Sequence, residues 1–170
     1  FHKLLDDNIG YIVLTKFNRT TTRETKAALE ELKADGATKI ILDLRGNPGG
    51  LLNEAISVVN LFVPKGEVIT TTKSVIEKYN RTYTTRNEPV DTEIPLVVLI
   101  NGRSASASEI VAGALQSLDR AVIVGDESTH GKGTVQALQP LMHGQLKLTH
   151  AKFYRVSGDS TQNLGVIPDI

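Results

Sequence analysis

The sequence predicts a single α/β domain in which helices flank a mixed β-sheet. Three short apolar runs are typical of buried strands, and they occupy Lys39–Leu44, Pro95–Ile100 and Arg120–Val124. The first two runs each lead through a turn of small residues into an amphipathic helix, and this repeated order is the pattern of an α/β layer arrangement. The length of 170 residues fits one domain, since domains hold roughly 100–200 residues.

The first half of the chain alternates strand and helix patterns. Ile9–Phe17 alternates and is rich in β-branched side chains, which predicts a strand. Apolar residues at helical spacing predict a helix over Arg23–Lys33, which the hydroxyls of Thr20–Thr22 can cap and Asp35-Gly36 ends. The elements predicted after the strand at Lys39–Leu44 are a glycine loop at Gly46–Gly50, a helix at Leu51–Phe62 and a strand at Gly66–Thr72.

The second half of the chain adds a polar segment, another predicted helix and a pair of predicted strands. Ser74–Asp91 is polar and predicts an exposed hairpin or flap. At the other end of the chain, His2 is expected in a frayed N-terminus. The other predictions are a small-residue turn at Asn101–Ser108, a helix from Glu109 to Gln116, a Gly-rich loop at Gly125–Gly133, strands at Thr134–Leu141 and Gln145–Tyr154, and an irregular tail from Ser157 to Ile170.

The composition excludes several function classes. Lys+Arg and Asp+Glu both number 19, so the net charge is zero and nucleic acid is not expected as a partner. Cysteine is absent, which excludes disulfides, thiolate metal sites and cysteine nucleophiles. No His/Asp/Glu spacing indicates a metal site, and no cofactor is predicted. The apolar runs are far shorter than the ~20 residues of a membrane-spanning helix.

The most informative stretch is Ile100–Glu109, in which three serines alternate with alanines between a predicted strand and a predicted helix. Free backbone N–H groups and the helix dipole favour negative charge at a helix N-terminus. A serine there can expose its hydroxyl while the next N–H faces a developing oxyanion. Such a turn also serves plain capping and packing, so the pattern needs a base before it indicates a nucleophile.

Lys132 is the candidate base. It lies between Gly131 and Gly133, and flanking glycines allow a close approach of the backbone. Desolvation in a closed site lowers the pKa of a lysine and makes the amine a usable base. Gln136, four residues later, can orient that amine through its side-chain carbonyl. Among the histidines only His130 lies near these candidates.

Two glycine-rich loops are candidate phosphate sites. Five residues instead of four separate Gly125 from Gly131, and a glycine follows the lysine, so the P-loop pattern is not met. The loop Gly46–Gly50 (GNPGG) lacks dinucleotide-binding spacing, but it can form a nest of backbone N–H groups for an oxyanion.

Four stretches in this order resemble the catalytic core of the tail-specific, or C-terminal processing, serine peptidases. The resemblance extends over nearly the whole chain, and the matching stretches are Ile41–Ala55, Pro95–Gln116, Arg120–Gln136 and Lys152–Ile170. The resemblance implies a crotonase-like fold and a serine endopeptidase that cleaves proteins near their C-termini by a Ser-Lys mechanism. Protein or peptide substrates would bind as an extended strand. The roles it implies are the nucleophile Ser106, the general base Lys132, the assisting Gln136, and oxyanion-hole N–H groups of Ala107 and of either Gly49 or Gly50.

The same resemblance makes Ser104 and Ser108 structural hydroxyls and lets Glu109 hold the start of the helix. Two residues depart from the family pattern. His130 stands where an aromatic residue is usual, in a loop one residue longer, and this could misplace the lysine; Asp159 stands where glycine is usual.

The resemblance also implies features outside these residues. Family members usually carry an upstream PDZ-type module that captures substrate C-termini, and nothing in residues 1–170 has its pattern. The parent protein is expected in the bacterial periplasm or cell envelope. The alternative function is a catalytically impaired peptide-binding or regulatory module of the same fold. An acyl-CoA enzyme on a related fold is weaker, because no nucleotide contact is recognisable.

Overall fold

The computed structural model describes all residues, 1–170, and contains nine strands and three α-helices. In chain order the elements are β1 (His2–Leu5), β2 (Ile9–Val13), α1 (Thr21–Ala34), β3 (Lys39–Asp43), α2 (Leu52–Asn60), β4 (Val68–Lys73), β5 (Arg81–Thr84), β6 (Leu96–Ile100), α3 (Ala107–Ser117), β7 (Val122–Gly125), β8 (Thr134–Pro140) and β9 (Gln145–Tyr154). Two short 3-10 turns lie at Asp6–Asn8 and Glu77–Tyr79.

The main sheet has five strands in the order β1-β2-β3-β6-β7. Strands β2, β3, β6 and β7 are parallel, and β1 runs antiparallel to β2. Helix α1 connects β2 to β3 and α3 connects β6 to β7, which are the crossovers that parallel strands require. The mixed sheet flanked by helices that the sequence predicts is therefore confirmed.

The three helices cover one face of this sheet. Side chains on that face, such as Ile12, Leu42 and Val98, are at most 1% exposed, whereas the residues before them in each strand, Tyr11, Ile41 and Val97, are partly exposed. Leu29 of α1 and Leu115 of α3 are fully buried in the same core. Truncating one of these core leucines to alanine would cost about 2–5 kcal/mol.

A second, antiparallel sheet of four strands has the order β5-β4-β9-β8. The expectation of one sheet is wrong here, because strand patterns do not reveal which strands pair. Strand β4 pairs with β5 on one side and with the distant β9 on the other, where Thr72 lies opposite Phe153. The predicted flap over Ser74–Asp91 therefore contributes strand β5, and Thr85 beside it is buried.

The N-terminal region also differs from the sequence prediction. His2 belongs to strand β1 and is not frayed, because β1 pairs with β2 along its length. The strand predicted over Ile9–Phe17 ends at Val13. Beyond it the chain bends, and Phe17 forms an isolated parallel bridge with Gly50.

None of the helices combines the length and the apolar character needed to cross a bilayer. The parallel strands bring two predicted functional loops to one edge of the main sheet. The glycine loop follows β3, and the serine turn follows its neighbour β6. Ligands of parallel α/β sheets bind at the carboxyl ends of the strands, and both loops lie at that edge.

Candidate active site

Ser106 lies at the N-terminus of α3 in a strained backbone conformation. Its φ is 55° and its ψ is −109°, in a region that side-chain-bearing residues rarely adopt. The side chain is half-buried, and Ala107 begins the helix. A sharp strand-to-helix turn of this kind exposes a serine hydroxyl above a sheet edge.

The neighbouring serines fasten this turn to the glycine loop. Ser104 Oγ donates to the Leu44 carbonyl at 2.7 Å, and Ser108 Oγ donates to the Asn47 carbonyl at 3.0 Å. Both serines are completely buried. Their hydroxyls are structural, as the sequence predicts, although they bind loop carbonyls and do not cap the helix.

The two candidate oxyanion glycines differ in what their N–H groups do. The N–H of Gly49 donates to Asn47 Oδ1 at 2.9 Å, and a Cβ at position 49 would lie 2.8 Å from the backbone nitrogen of Ala107. The N–H of Gly50 has no acceptor in the chain, and neither has the N–H of Ala107. Free N–H donors are therefore available at Gly50 and Ala107 but not at Gly49.

Glu109 ties the serine turn to the lysine loop. Its carboxylate has no exposed surface. Oε2 accepts the N–H of Ser106 at 2.6 Å and the N–H of Lys132 at 2.9 Å. Oε1 accepts the Thr129 hydroxyl at 2.7 Å and the N–H of Gly131 at 2.6 Å. Four donors thus satisfy a buried charge, as burial requires.

A cleft of about 660 Å³ collects most of the predicted site residues. Ser106, Ala107, Gly50, Lys132 and Gln136 all line it, whereas Gly49 packs behind the serine turn. The cleft also has apolar walls, which are formed by Pro48, Leu51, Leu52, Ile110, Val135, Leu138 and Phe153. None of the four histidines lines this cleft.

Lys132 is half-buried, and burial lowers the pKa of its ammonium group below the ordinary lysine range. The charge of Lys147 lowers this pKa further, and the charge of Glu109 opposes the shift. The Nζ atom donates to the Thr134 carbonyl at 3.0 Å, and no hydrogen bond joins it to Ser106. The two residues share the cleft, but the dyad is not hydrogen-bonded.

Gln136 lies in the same cleft, but it forms no hydrogen bond with Lys132. Its side-chain amide donates to Thr149 Oγ1 at 3.3 Å, and the residue is exposed. The structure thus places Gln136 near the base but turned toward β9.

The two departures from the family pattern are accommodated locally. The side chain of His130 is exposed, and its backbone N–H donates to the Ser104 carbonyl at 3.0 Å. The longer loop therefore remains anchored beside the serine turn. At the other departure the left-handed conformation falls on Gly158, with φ of 92°, and not on Asp159.

Sequence reasoning assigned Glu109 only to the helix start and missed its contacts with the lysine loop. The signal was present in the spacing Ser106-x-x-Glu109, which is the capping-box pattern. The contacts with Thr129, Gly131 and Lys132 could not be found this way, because they join residues 20 or more positions apart.

Comparison with known proteins then decides the family. The model of peptidase family S41 matches residues 8–170. The chain belongs to peptidase family S41. This S41 chain is 44% identical over 171 residues to a carboxy-terminal-processing protease of Bartonella bacilliformis, with 98% of the chain and 39% of the relative covered. It is 38% identical to the carboxy-terminal processing protease CtpA of Bacillus subtilis, with 100% and 36% covered.

A solved structure with the same S41 fold is that of the photosystem II D1 C-terminal processing protease. The TM-score is 0.85 at 35% sequence identity, and the match covers 95% of this chain and 42% of that one. The S41 chain therefore spans about two fifths of the length of the relatives that it matches.

Proposed function

We propose that this chain is the catalytic core of a serine endopeptidase that cleaves proteins near their C-termini. The observation that carries the proposal is the pairing, in one cleft, of a serine on a strained turn with a half-buried lysine of lowered pKa. The relatives are C-terminal processing proteases, which supports the substrate class.

In the proposed mechanism Ser106 is the nucleophile and Lys132 is the general base. The neutral amine of Lys132 accepts the proton of the Ser106 hydroxyl, and Oγ attacks the scissile carbonyl. Lys132 must first leave the Thr134 carbonyl, to which its Nζ donates at 3.0 Å. We infer that the lysine side chain rotates to make this change, while Glu109 holds the backbone of both residues in place.

The oxyanion of the tetrahedral intermediate binds the N–H groups of Gly50 and Ala107. We choose Gly50 over Gly49 because the Gly49 N–H is already bound to Asn47. Preorganised donors of this kind are worth about 10²–10³ in rate each.

The acyl-enzyme then forms and is hydrolysed. Lys132 gives its proton to the leaving amine as the C–N bond breaks, which leaves an ester on Ser106. Water attacks that ester, and Lys132 accepts the proton of the water and returns one to Ser106. Gln136 would orient the amine after turning away from Thr149, its partner at 3.3 Å.

Substrate would bind as an extended strand along β8. This strand is at the edge of the second sheet, so its outer backbone groups are unpaired. Gln136 and Leu138 of β8 also line the cleft. Peptide recognition by strand addition uses such an edge.

The test is hydrolysis of an unfolded protein substrate by matched variants. Ser106→Ala and Lys132→Ala should each lose activity, whereas Lys152→Ala, at an exposed lysine outside the cleft, should retain it. Wild-type rates in either of the first two variants would contradict the assignment. Peptide binding without any Ser106-dependent hydrolysis would instead favour the alternative, a binding or regulatory module. Covalent labelling of Ser106 by a fluorophosphonate would disfavour that alternative.

Two features of the parent protein belong to the same proposal. A PDZ-type module elsewhere in the parent would deliver substrate C-termini to the cleft. The bacterial periplasm or cell envelope would be its compartment. Both rest on the family resemblance.

A further inference from the structure

The cleft is lined by three lysines and by no carboxylate. The lysines are Lys16, Lys132 and Lys147. The chain as a whole has zero net charge, so the excess of positive charge is confined to the cleft. None of the three takes part in an ion pair. A cleft with unpaired cations and apolar walls favours a ligand that is largely apolar and carries one negative group.

The chemistry of the dyad distinguishes the two ends of the cleft. The base returns its proton to the leaving amine, so the wall nearest Lys132 faces the leaving peptide. Strands β8 and β9 follow Lys132 and form that wall. Lys16 precedes Phe17, which bridges Gly50, so Lys16 belongs to the oxyanion side.

Lys147 is the unpaired cation on the leaving-peptide wall. It lies opposite Leu138 in the β8–β9 ladder, and both residues line the cleft. Its effect on the pKa of Lys132 places its charge within electrostatic range of the base.

We propose that Lys147 binds the C-terminal carboxylate of the peptide that leaves, and so selects bonds close to the end of a substrate chain. The proposal rests on the proposed function and adds a specificity-determining residue to it. A free α-carboxylate is the one negative group that every substrate C-terminus carries, whatever its sequence.

The register of β8 sets the length of the leaving peptide. Lys132 contacts the carbonyl of Thr134, and Lys147 lies opposite Leu138, which is 138 − 134 = 4 residues further along β8. At about 3.3 Å per residue the backbone separation is about 13 Å, and the Lys147 side chain can reach back along part of it, so the leaving peptide would hold roughly two to four extended residues. Longer leaving peptides would carry their carboxylate past Lys147.

Binding to an inactive protein tests the proposal without requiring hydrolysis. Ser106→Ala is titrated with an N-terminally dye-labelled hexapeptide of apolar residues, as the free acid and as the C-terminal amide, and anisotropy gives each Kd. The free acid should bind about two- to fivefold more tightly, because the amide loses the charge pair with the exposed Lys147. In the Ser106→Ala background, Lys147→Met should remove this preference for the free acid, and Lys147→Arg should keep it. Lys152→Met removes an exposed lysine of the same strand outside the cleft and should change nothing.

Three results would overturn the proposal. They are equal affinity for acid and amide, a preference that survives Lys147→Met, and no binding of either peptide at millimolar concentration. Tight binding of an amidated peptide that ends in glutamate would also contradict it, because Lys147 would then read a side chain and not the chain end. Failure of the proposed function looks different, since it is the absence of Ser106-dependent hydrolysis by the unmutated chain.

Discussion

Oxygen Oε2 of Glu109 accepts the backbone N–H of Ser106 at 2.6 Å, inside a core where the glutamate has no exposed surface. The same oxygen accepts the N–H of Lys132, so a single atom sets the separation of the proposed nucleophile and base at the level of the backbone. Productive geometry in a catalytic dyad must be held within fractions of an ångström. We therefore infer that Glu109 positions the proposed nucleophile and base.

Glu109→Gln should impair both stability and catalysis. The amide brings an NH₂ group against donors that a carboxylate accepts, which leaves buried groups unsatisfied and costs about 3 kcal/mol. A displacement of the dyad should lower kcat about 10- to 100-fold. Denaturant unfolding and peptide hydrolysis measure the two effects.

The matched control for that variant is Glu54→Gln. Glu54 Oε2 accepts the N–H of Thr22 at 2.8 Å and its hydroxyl at 2.6 Å, away from the cleft. This control should lose stability while keeping kcat. A normal kcat in the Glu109→Gln variant would contradict the positioning role of Glu109.

The strained backbone of Ser106 predicts an unusual ranking of two inactive variants. Glycine adopts the observed φ of 55° without steric cost, whereas alanine keeps the strain. Ser106→Gly should therefore be more stable than Ser106→Ala by about 1 kcal/mol, although glycine usually destabilises. Thermal unfolding of the two proteins decides this, and a less stable glycine variant would mean that the turn carries no strain.

The rate of hydrolysis should rise with pH along a limb set by Lys132. The neutral amine is the active form, and burial followed by the charge of Lys147 lowers its pKa, so the midpoint should fall below about 10.4, the ordinary lysine value. Lys147→Met removes one of the two causes and should move the limb to higher pH. Measurement of kcat/KM from pH 6 to 10.5 on an amidated peptide tests both statements, since that substrate lacks the carboxylate. A midpoint at the ordinary value would exclude a desolvated base.

Lys132→Met should abolish activity and stabilise the fold. Burial holds the folded-state pKa of Lys132 below its unfolded value, so the unfolded chain binds the extra proton more readily and the charged lysine destabilises the protein at neutral pH. This penalty begins to fall as pH rises through the lowered folded-state pKa, and it disappears once pH exceeds the unfolded-state value of about 10.4. Because solvent screens the charge of this half-exposed side chain, the variant should gain less than about 1 kcal/mol at pH 7, and the gain should shrink toward pH 10. Lys152→Met, at an exposed position outside the cleft, is the control in the same unfolding experiment.

Much of the fold follows from local patterns. The parallel strands at Lys39–Asp43 and Leu96–Ile100 and the helices after them are recognisable from apolar runs and helical spacing. The split into two sheets is not, because pairing of β4 with β9 joins residues about 80 positions apart. The more specific crotonase-like description remains a prediction.

The candidate site, too, could be predicted from the sequence only in part. Ser106 and Lys132 stand out from their sequence surroundings, and the structure lines one cleft with both. The choice between Gly49 and Gly50 depends on the Asn47 side chain, which occupies one of the two N–H groups. A contact of this kind depends on the folded conformation of the loop, and residue type alone does not reveal it.

The contact between Lys132 and the Thr134 carbonyl limits how substitutions can alter the position of the lysine amine. Every residue at position 134 supplies a main-chain carbonyl, so no point substitution there deletes the acceptor that holds the amine at rest. Sequence change at position 134 therefore leaves the acceptor in place. The competing contacts of the amine near Ser106 are where variation would alter the proposed base.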